Sequence, residues 1–375
     1  AGAALTLEPL GEGAADMVYD DLTEAVGQVV ERVSTPWTRD DARTLAALSA
    51  AGLVFVAALL LATTPPDALT ALDSHSVTRY NVIAGAIGIV AALLVTATSA
   101  VMTRKYPQAS GIALAHTVPF LTAAAALRLS QSHWDTAGWG WTGLGLLIGA
   151  LAVLALPKRY RISIAAPLVV GTVLAATSLL VRLGQLSQAG ISAILFALVI
   201  VLLQVAPWIA LAHIPVRILD ADTTEQIPAK GITDQVTTSF IFVVALRAGG
   251  AVAAVFLAIS LMTAPETRSV PLPLTLIVLG AVSLVLQTRS IRARVEVLLG
   301  ALTGLIVILV AAVIGAYSDP RTMPWLTLSA IATALVLVVT NVVGPRARPH
   351  LTRIADTISV LSLFVLLPLA VYLWS

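Results

Sequence analysis

The sequence contains no cysteine. That excludes disulfides, thiolate metal sites, iron–sulfur clusters and cysteine nucleophiles. Charge is scarce as well: Asp, Glu, Lys and Arg make up 11% of the 375 residues, against about 25% in soluble domains. Aromatic residues amount to 5%. No Walker A loop, HExxH, GxSxG or CxxC occurs, and the five histidines are never spaced to share a metal. What fills the chain is apolar: 58% of residues, with a mean hydropathy of +0.94. A water-soluble globule of this size has too little polar surface to cover that much apolar material. The apolar residues come in long runs, so the expected fold is an all-α, polytopic integral membrane protein with helical spans rather than barrel strands.

Eleven apolar segments are expected to cross the bilayer: Thr44–Ala62, Val82–Met102, Gly111–Leu127, Gly140–Leu156, Ile162–Leu180, Ile191–His213, Phe240–Met262, Leu272–Leu286, Val297–Ala316, Trp325–Val343 and Ile354–Trp374. The eighth is the shortest. The basic residues alternate along this scheme. Seventeen lie on one side: Arg32, Arg39, Arg43, Arg104, Lys105, Lys158, Arg159, Arg161, Arg217, Lys230, Arg247, Arg289, Arg292, Arg294, Arg346, Arg348 and Arg353. The other five, Arg79, Arg128, Arg182, Arg268 and Arg321, fall one to a loop on the opposite side. By the positive-inside rule the N-terminus is cytoplasmic and Ser375 faces outward. Trp134, Trp139, Trp141, Tyr317, Trp325, Tyr372 and Trp374 are placed at the outer interface, and Trp37, Tyr106 and Tyr160 at the inner one. Topology accounts for the net charge of +2 and the pI near 9.1, so no nucleic-acid partner is inferred.

The chain divides into residues 1–42, cytoplasmic, and an eleven-helix transmembrane domain over 43–375 with a longer cytoplasmic connection at 214–239. Residues 1–14 read as a linker. The first 42 residues are polar and acidic, unlike a signal peptide. From Asp16 an amphipathic helix is expected, with Val18, Leu22, Ala25, Val26, Val29 and Val33 on its apolar stripe. Pro36 ends it, and Thr38 caps the first span. Its acidic residues, Asp20, Asp21, Glu24 and Glu31, disfavour anionic lipid, so Asp20, Asp21, Leu22, Glu24, Val26, Val29 and Glu31 form a candidate docking surface for protein. The 214–239 connection carries Asp220, Asp222, Glu225, Lys230 and Asp234. It reads either as a solvated linker with one short helix or as a docking element.

Ionisable groups at bilayer depth betray catalytic and transport sites, because they cost about 2.5–3.5 kcal/mol there on insertion scales. Arg247 is the clearest case, about two turns inside the seventh span. It either snorkels to the cytoplasmic interface or meets a buried partner. Glu296 is expected to pair locally with Arg292, and Asp356 with Arg353. His116 reads as a satisfied packing residue. Catalytic residues, metal sites and cofactors are therefore not expected. Gly145 with Gly149 and Gly300 with Gly304 form two GxxxG pairs, candidates for close helix packing inside the chain or between subunits. Pro119, Pro167, Pro207 and Pro368 are expected to kink their spans.

The acidic stretch Tyr19-Asp20-Asp21-Leu22-Thr23-Glu24-Ala25-Val26 and Pro36-Trp37 before the first span resemble the EccD membrane component of the actinobacterial type VII (ESX) secretion system. Glu225-Gln226-Ile227-Pro228 and the turn Arg289–Glu296 are similar too, as are the eleven spans with N-in, C-out topology. The family usually begins with a ubiquitin-like domain of about ninety residues, which this sequence lacks; residues 1–42 would be its linker to the membrane. The resemblance implies a non-enzymatic scaffold in the plasma (inner) membrane. Such proteins pair as homodimers and enclose a lipid-filled cavity. They assemble with EccB, the EccC ATPase and EccE to export small folded helical proteins. Two other readings compete. A secondary transporter or permease would need repeat symmetry and coupling groups unless its substrate were apolar or small. A lipid-acting enzyme would have only His213 or His350 to work with, and both read better as helix-end caps.

Overall fold

The structure is a computed structural model. It describes residues 39–63, 74–105, 110–131, 135–156, 161–212, 229–265, 271–288, 294–318 and 348–374, with scattered positions between 323 and 335. The described elements are helical throughout: α1 (Arg39–Thr63), α2 (Ser74–Lys105), α3 (Ser110–Leu129), α4 (Thr136–Ala150), α5 (Ala165–Gly184), α6 (Gln188–Ala212), α7 (Ala229–Met262), α8 (Pro271–Gln287), α9 (Arg294–Ser318) and α10 (Arg348–Trp374). Among the described residues, nine helices are long and apolar enough to cross a membrane. The remaining one, α8, has 17 residues, about 25 Å of helix and just short of the ~30 Å hydrocarbon core. These ten helices coincide with ten of the eleven expected spans. The other, Trp325–Val343, lies almost wholly outside the described residues.

The chain divides into two units, Ala1–Ala46 and Ala47–Ser375. Of the first, the described residues form the opening turns of α1. In the second, successive helices pack as neighbours, with α2 on α3, α3 on α4, α4 on α5 and α6 on α7. Asp135 starts α4 by accepting a hydrogen bond from the Gly138 N–H at 2.8 Å. Gln185 closes α5 in the left-handed conformation, φ 50°, and α6 begins three residues on. Helix α7 is central: it packs on α5, α6 and α9. Around it lies the largest core cluster, in which Phe196, Ile200, Leu257, Leu261, Leu276 and Ile277 are fully buried.

Several expectations need correction. Helix α7 runs unbroken over 34 residues from Ala229, ~51 Å at 1.5 Å per residue. Residues 229–239, eleven of the 26 in the expected 214–239 connection, are the continuous start of α7, and the apolar span begins at Thr237; residues 214–228 lie outside the described residues. Pro167 falls in the first turn of α5, where a missing N–H removes no helical hydrogen bond, so it introduces no kink. Pro119, Pro207 and Pro368 do lie inside helices. Trp139 is not an interfacial anchor: it is buried and meets Phe256 edge-on at 5.1 Å. Trp141, Tyr317, Tyr372 and Trp374 are exposed on the bundle. Arg128 belongs to the last turn of α3 rather than to a loop. It is buried, and its Nε donates to the Leu61 carbonyl in the last turn of α1.

Candidate functional site

The glycine pairs are points of backbone contact. A Cβ on Gly145 would lie 2.6 Å from the Thr122 carbonyl oxygen and 2.7 Å from Ala123 Cα. One on Gly149 would lie 2.6 Å from Pro119 Cα and closer still to Thr122 Oγ1. Both glycines press α4 against the main chain of α3, and Thr122 Oγ1 donates across the gap to the Gly145 carbonyl at 2.7 Å. On the other flank of α4, Gly143 opposes Ala175 N at 2.6 Å and the Gly171 carbonyl at 2.7 Å on α5. In the sequence Gly143 lies outside the four-residue repeat that marks the Gly145/Gly149 pair. Gly300 meets a side chain, with Thr288 Cγ2 at 2.8 Å from the added Cβ, whereas Gly304 meets both Val285 Cγ2 at 2.7 Å and the Ala281 carbonyl oxygen at 3.0 Å on α8. All four glycine faces are thus taken up by the chain's own helices.

Arg247 does not snorkel. It is 5% exposed, and its Nε lies 3.5 Å from Glu296 Oε2 on α9. Glu296 is buried too, and this partner comes from another helix, 49 positions away in sequence; Arg292, the expected local partner, lies outside the described residues. Arg353 and Asp356 are exposed on α10. Near Arg247 a layer of amides and hydroxyls joins α6 to α8. Gln204 Nε2 donates to Ser283 Oγ at 2.6 Å, and Gln287 Nε2 donates to the Gln204 carbonyl at 3.0 Å. At the other end of α6, a second set joins it to α7: Gln188 Nε2 donates to the Ser260 carbonyl at 3.0 Å, and Ser192 and Ser260 share a hydroxyl hydrogen bond at 2.7 Å. A search for ionisable groups alone passes over these residues; the overlooked signal is the pair Gln188 and Gln204 inside a 25-residue apolar helix. Ser260→Ala should cost about 0.6–1.7 kcal/mol, the range for interhelical hydrogen bonds in membranes, measured as a lower unfolding midpoint in detergent.

His116 is satisfied on both nitrogens, with Nδ1 at 2.7 Å from the Ile112 carbonyl and Nε2 at 2.8 Å from Ser163 Oγ. Among the described residues no cluster of His, Cys, Asp or Glu could hold a metal ion. A cavity of about 800 Å³ among the described residues is a groove between α2, α3 and α4 lined by Ile89, Leu93, Val118, Trp141 and Ile148 among others, with no ionisable side chain in its wall. The docking candidates Asp20, Asp21, Leu22, Glu24, Val26, Val29 and Glu31 lie outside the described residues, as do Trp37, Tyr106, Trp134, Tyr160, His213 and Trp325.

Long apolar helices, a buried polar layer and an apolar lateral groove define a multi-pass helical membrane protein. The EccD-like transmembrane domain family matches residues 42–375, and the chain belongs to that family. It is a membrane component of a type VII (ESX) secretion system. Its fold is similar to protomer 1 of the ESX-3 core complex, with TM-score 0.70 and 18% identity over 96% of this chain and 81% of that one. It is also similar to a chain of the MycP5-free ESX-5 inner membrane complex in State II, with TM-score 0.63 and 17% identity over 88% of this chain and 78% of the other. No curated protein matches the sequence.

Proposed function

We propose that this chain is a non-catalytic scaffold subunit. It dimerises and assembles with EccB-, EccC- and EccE-type subunits into the inner-membrane machine that exports proteins, the ATPase supplying the energy. The observation that carries this reading is the family match across residues 42–375. The internal chemistry agrees with it. Several buried polar groups in the described helices, Gln188, Ser192, Gln204, Ser260 and Ser283 among them, join helices to one another, as a scaffold requires. The orientation that goes with this role is N-terminus cytoplasmic and C-terminus outside, supported by the alternation of basic residues.

The decisive experiment is the native mass and composition of the tagged protein, extracted in mild detergent from its own host. Recovery in a very large particle with an ATPase and other membrane subunits at fixed ratio is expected. A lone monomer or dimer, partnerless across several detergents, would favour the permease reading, for which the 800 Å³ apolar groove is the candidate substrate site. That groove has exposed rims, Leu93 and Ile148 among them, which suits lateral occupation by lipid better than a path across the membrane. Deleting residues 16–33 should release or loosen a protein partner in co-purification; an unchanged complex would remove the docking role from the acidic helix. The cysteine-free sequence makes orientation simple to test. Ser375→Cys should react with a membrane-impermeant maleimide on intact cells, whereas Arg346→Cys should react only after permeabilisation.

A further inference from the structure

A second groove runs beside the 800 Å³ one. It lies between α4 and α5, holds about 440 Å³, and shares Trp141 and Leu144 with the first. Those two side chains form a ridge between the grooves, and both are exposed. Both volumes fall in the ~300–1,000 Å³ range of ligand sites. The wall of the second groove changes character along its length. Where α4 begins and α5 ends it carries Gly140, Trp141, Ser178 and Arg182. Further in it is lined by Leu144, Leu147, Thr172 and Ala176. Ten residues of α5 separate Arg182 from Thr172, ~15 Å of helix and half of the ~30 Å hydrocarbon core. The first groove reaches as far, from Trp141 to Leu151 ten residues on. Each groove is thus as deep as one leaflet. The polar end is open to a ligand. Arg182 is exposed and pairs with no acid among the described residues. Ser178, one turn before it, is 6% exposed, and its hydroxyl makes no hydrogen bond among the described residues. Its Oγ lies 2.5 Å from where a Cβ on Gly140 would stand, so only a glycine there leaves room beside the hydroxyl.

We propose that these grooves hold one anionic diacyl phospholipid astride α4. Its phosphate sits on Arg182, Ser178 donates to a head-group oxygen, and one tail lies in each groove, on either side of Trp141 and Leu144. The chemistry matches at both ends. A guanidinium offers phosphate two parallel N–H donors, and an indole suits the head-group level of a bilayer. The inner ends of the grooves offer aliphatic wall to the tails. Net negative charge on the lipid is favoured because Arg182 has no carboxylate to balance it. The site is built by helices of a single chain, α2 to α5, so it is complete without a partner subunit.

The test is native mass spectrometry of the purified protein released from nanodiscs of equal phosphatidylglycerol and phosphatidylethanolamine. The wild type is compared with Arg182→Gln and Thr172→Phe, both at exposed positions where the fold should tolerate the change. The wild type should retain phosphatidylglycerol in several-fold preference, with one more lipid per chain than Arg182→Gln. Arg182→Gln should erase that preference. Thr172→Phe fills the inner end of the second groove and should cut retention of both lipids several-fold. Lysophosphatidylglycerol, which has one tail, should be held less tightly than the two-tailed lipid. Equal retention by all three proteins would overturn the site. So would full retention in Thr172→Phe, which would leave only a surface charge attracting anionic lipid. Equal retention of the one-tailed and two-tailed lipids would overturn the placement astride α4.

Discussion

Gly149→Leu is expected to prevent recovery of folded protein, or to lower its stability by more than about 3 kcal/mol, beyond the usual cost of overpacking. Even the first added carbon would lie 2.6 Å from Pro119 Cα. Backbone atoms in a proline-containing helix cannot rotate aside as a side chain can. Relief would require α3 and α4 to separate, which would break the Thr122–Gly145 hydrogen bond and open the seam between them. Gly145→Ala faces the same difficulty against Ala123. Gly300→Ala provides the contrast. Its nearest neighbour is the Thr288 methyl, a side-chain atom, and the Leu284 carbonyl is 3.6 Å away. A small rotation of Thr288 should absorb it, so Gly300→Ala should assemble and melt nearly as the wild type. Unfolding midpoints and folded yield in detergent for the three variants check this ranking; equal behaviour at Gly149 and Gly300 would contradict the backbone-contact argument.

Arg247→Leu is expected to be severe, at about 3–5 kcal/mol, because it leaves the buried Glu296 carboxylate without its counter-charge. Had Arg247 reached the interface, the same change would be mild. The double variant Arg247→Leu/Glu296→Leu should be less destabilised than the single one, since removing both charges removes the uncompensated burial. A double-mutant cycle on unfolding midpoints reads the coupling directly. If Arg247→Leu and Glu296→Leu simply add, the two residues do not act as a pair.

The spans were legible for a definite reason. Bilayer hydrocarbon offers the backbone no hydrogen-bond partner, so a long apolar run has to be helical. The ten described helices accordingly sit on ten expected segments. The helix-end residues were legible only in part. Arg128 counts as one basic residue of a poor loop in any tally of topology, yet it is buried against the end of α1. Trp139 matches the composition of an aromatic belt, yet it packs on Phe256. In both cases residue type and sequence position agree with an interfacial place, and neighbouring helices override them.

What the sequence by itself determined is the class of the protein, the number and position of most spans, the residues 42–375 that define its family, and the small residues on which helices meet. These follow from local properties: hydropathy over a window, charge between windows, and glycine spacing. Only the tertiary structure decided which helix each surface meets. Helices that are apolar nearly all round carry no stripe to announce their inward face. Nothing in the spacing around Glu296 points to Arg247 on another helix. That choice was settled by where α7 and α9 pack, because a buried charge is stable only beside the partner that packing brings to it.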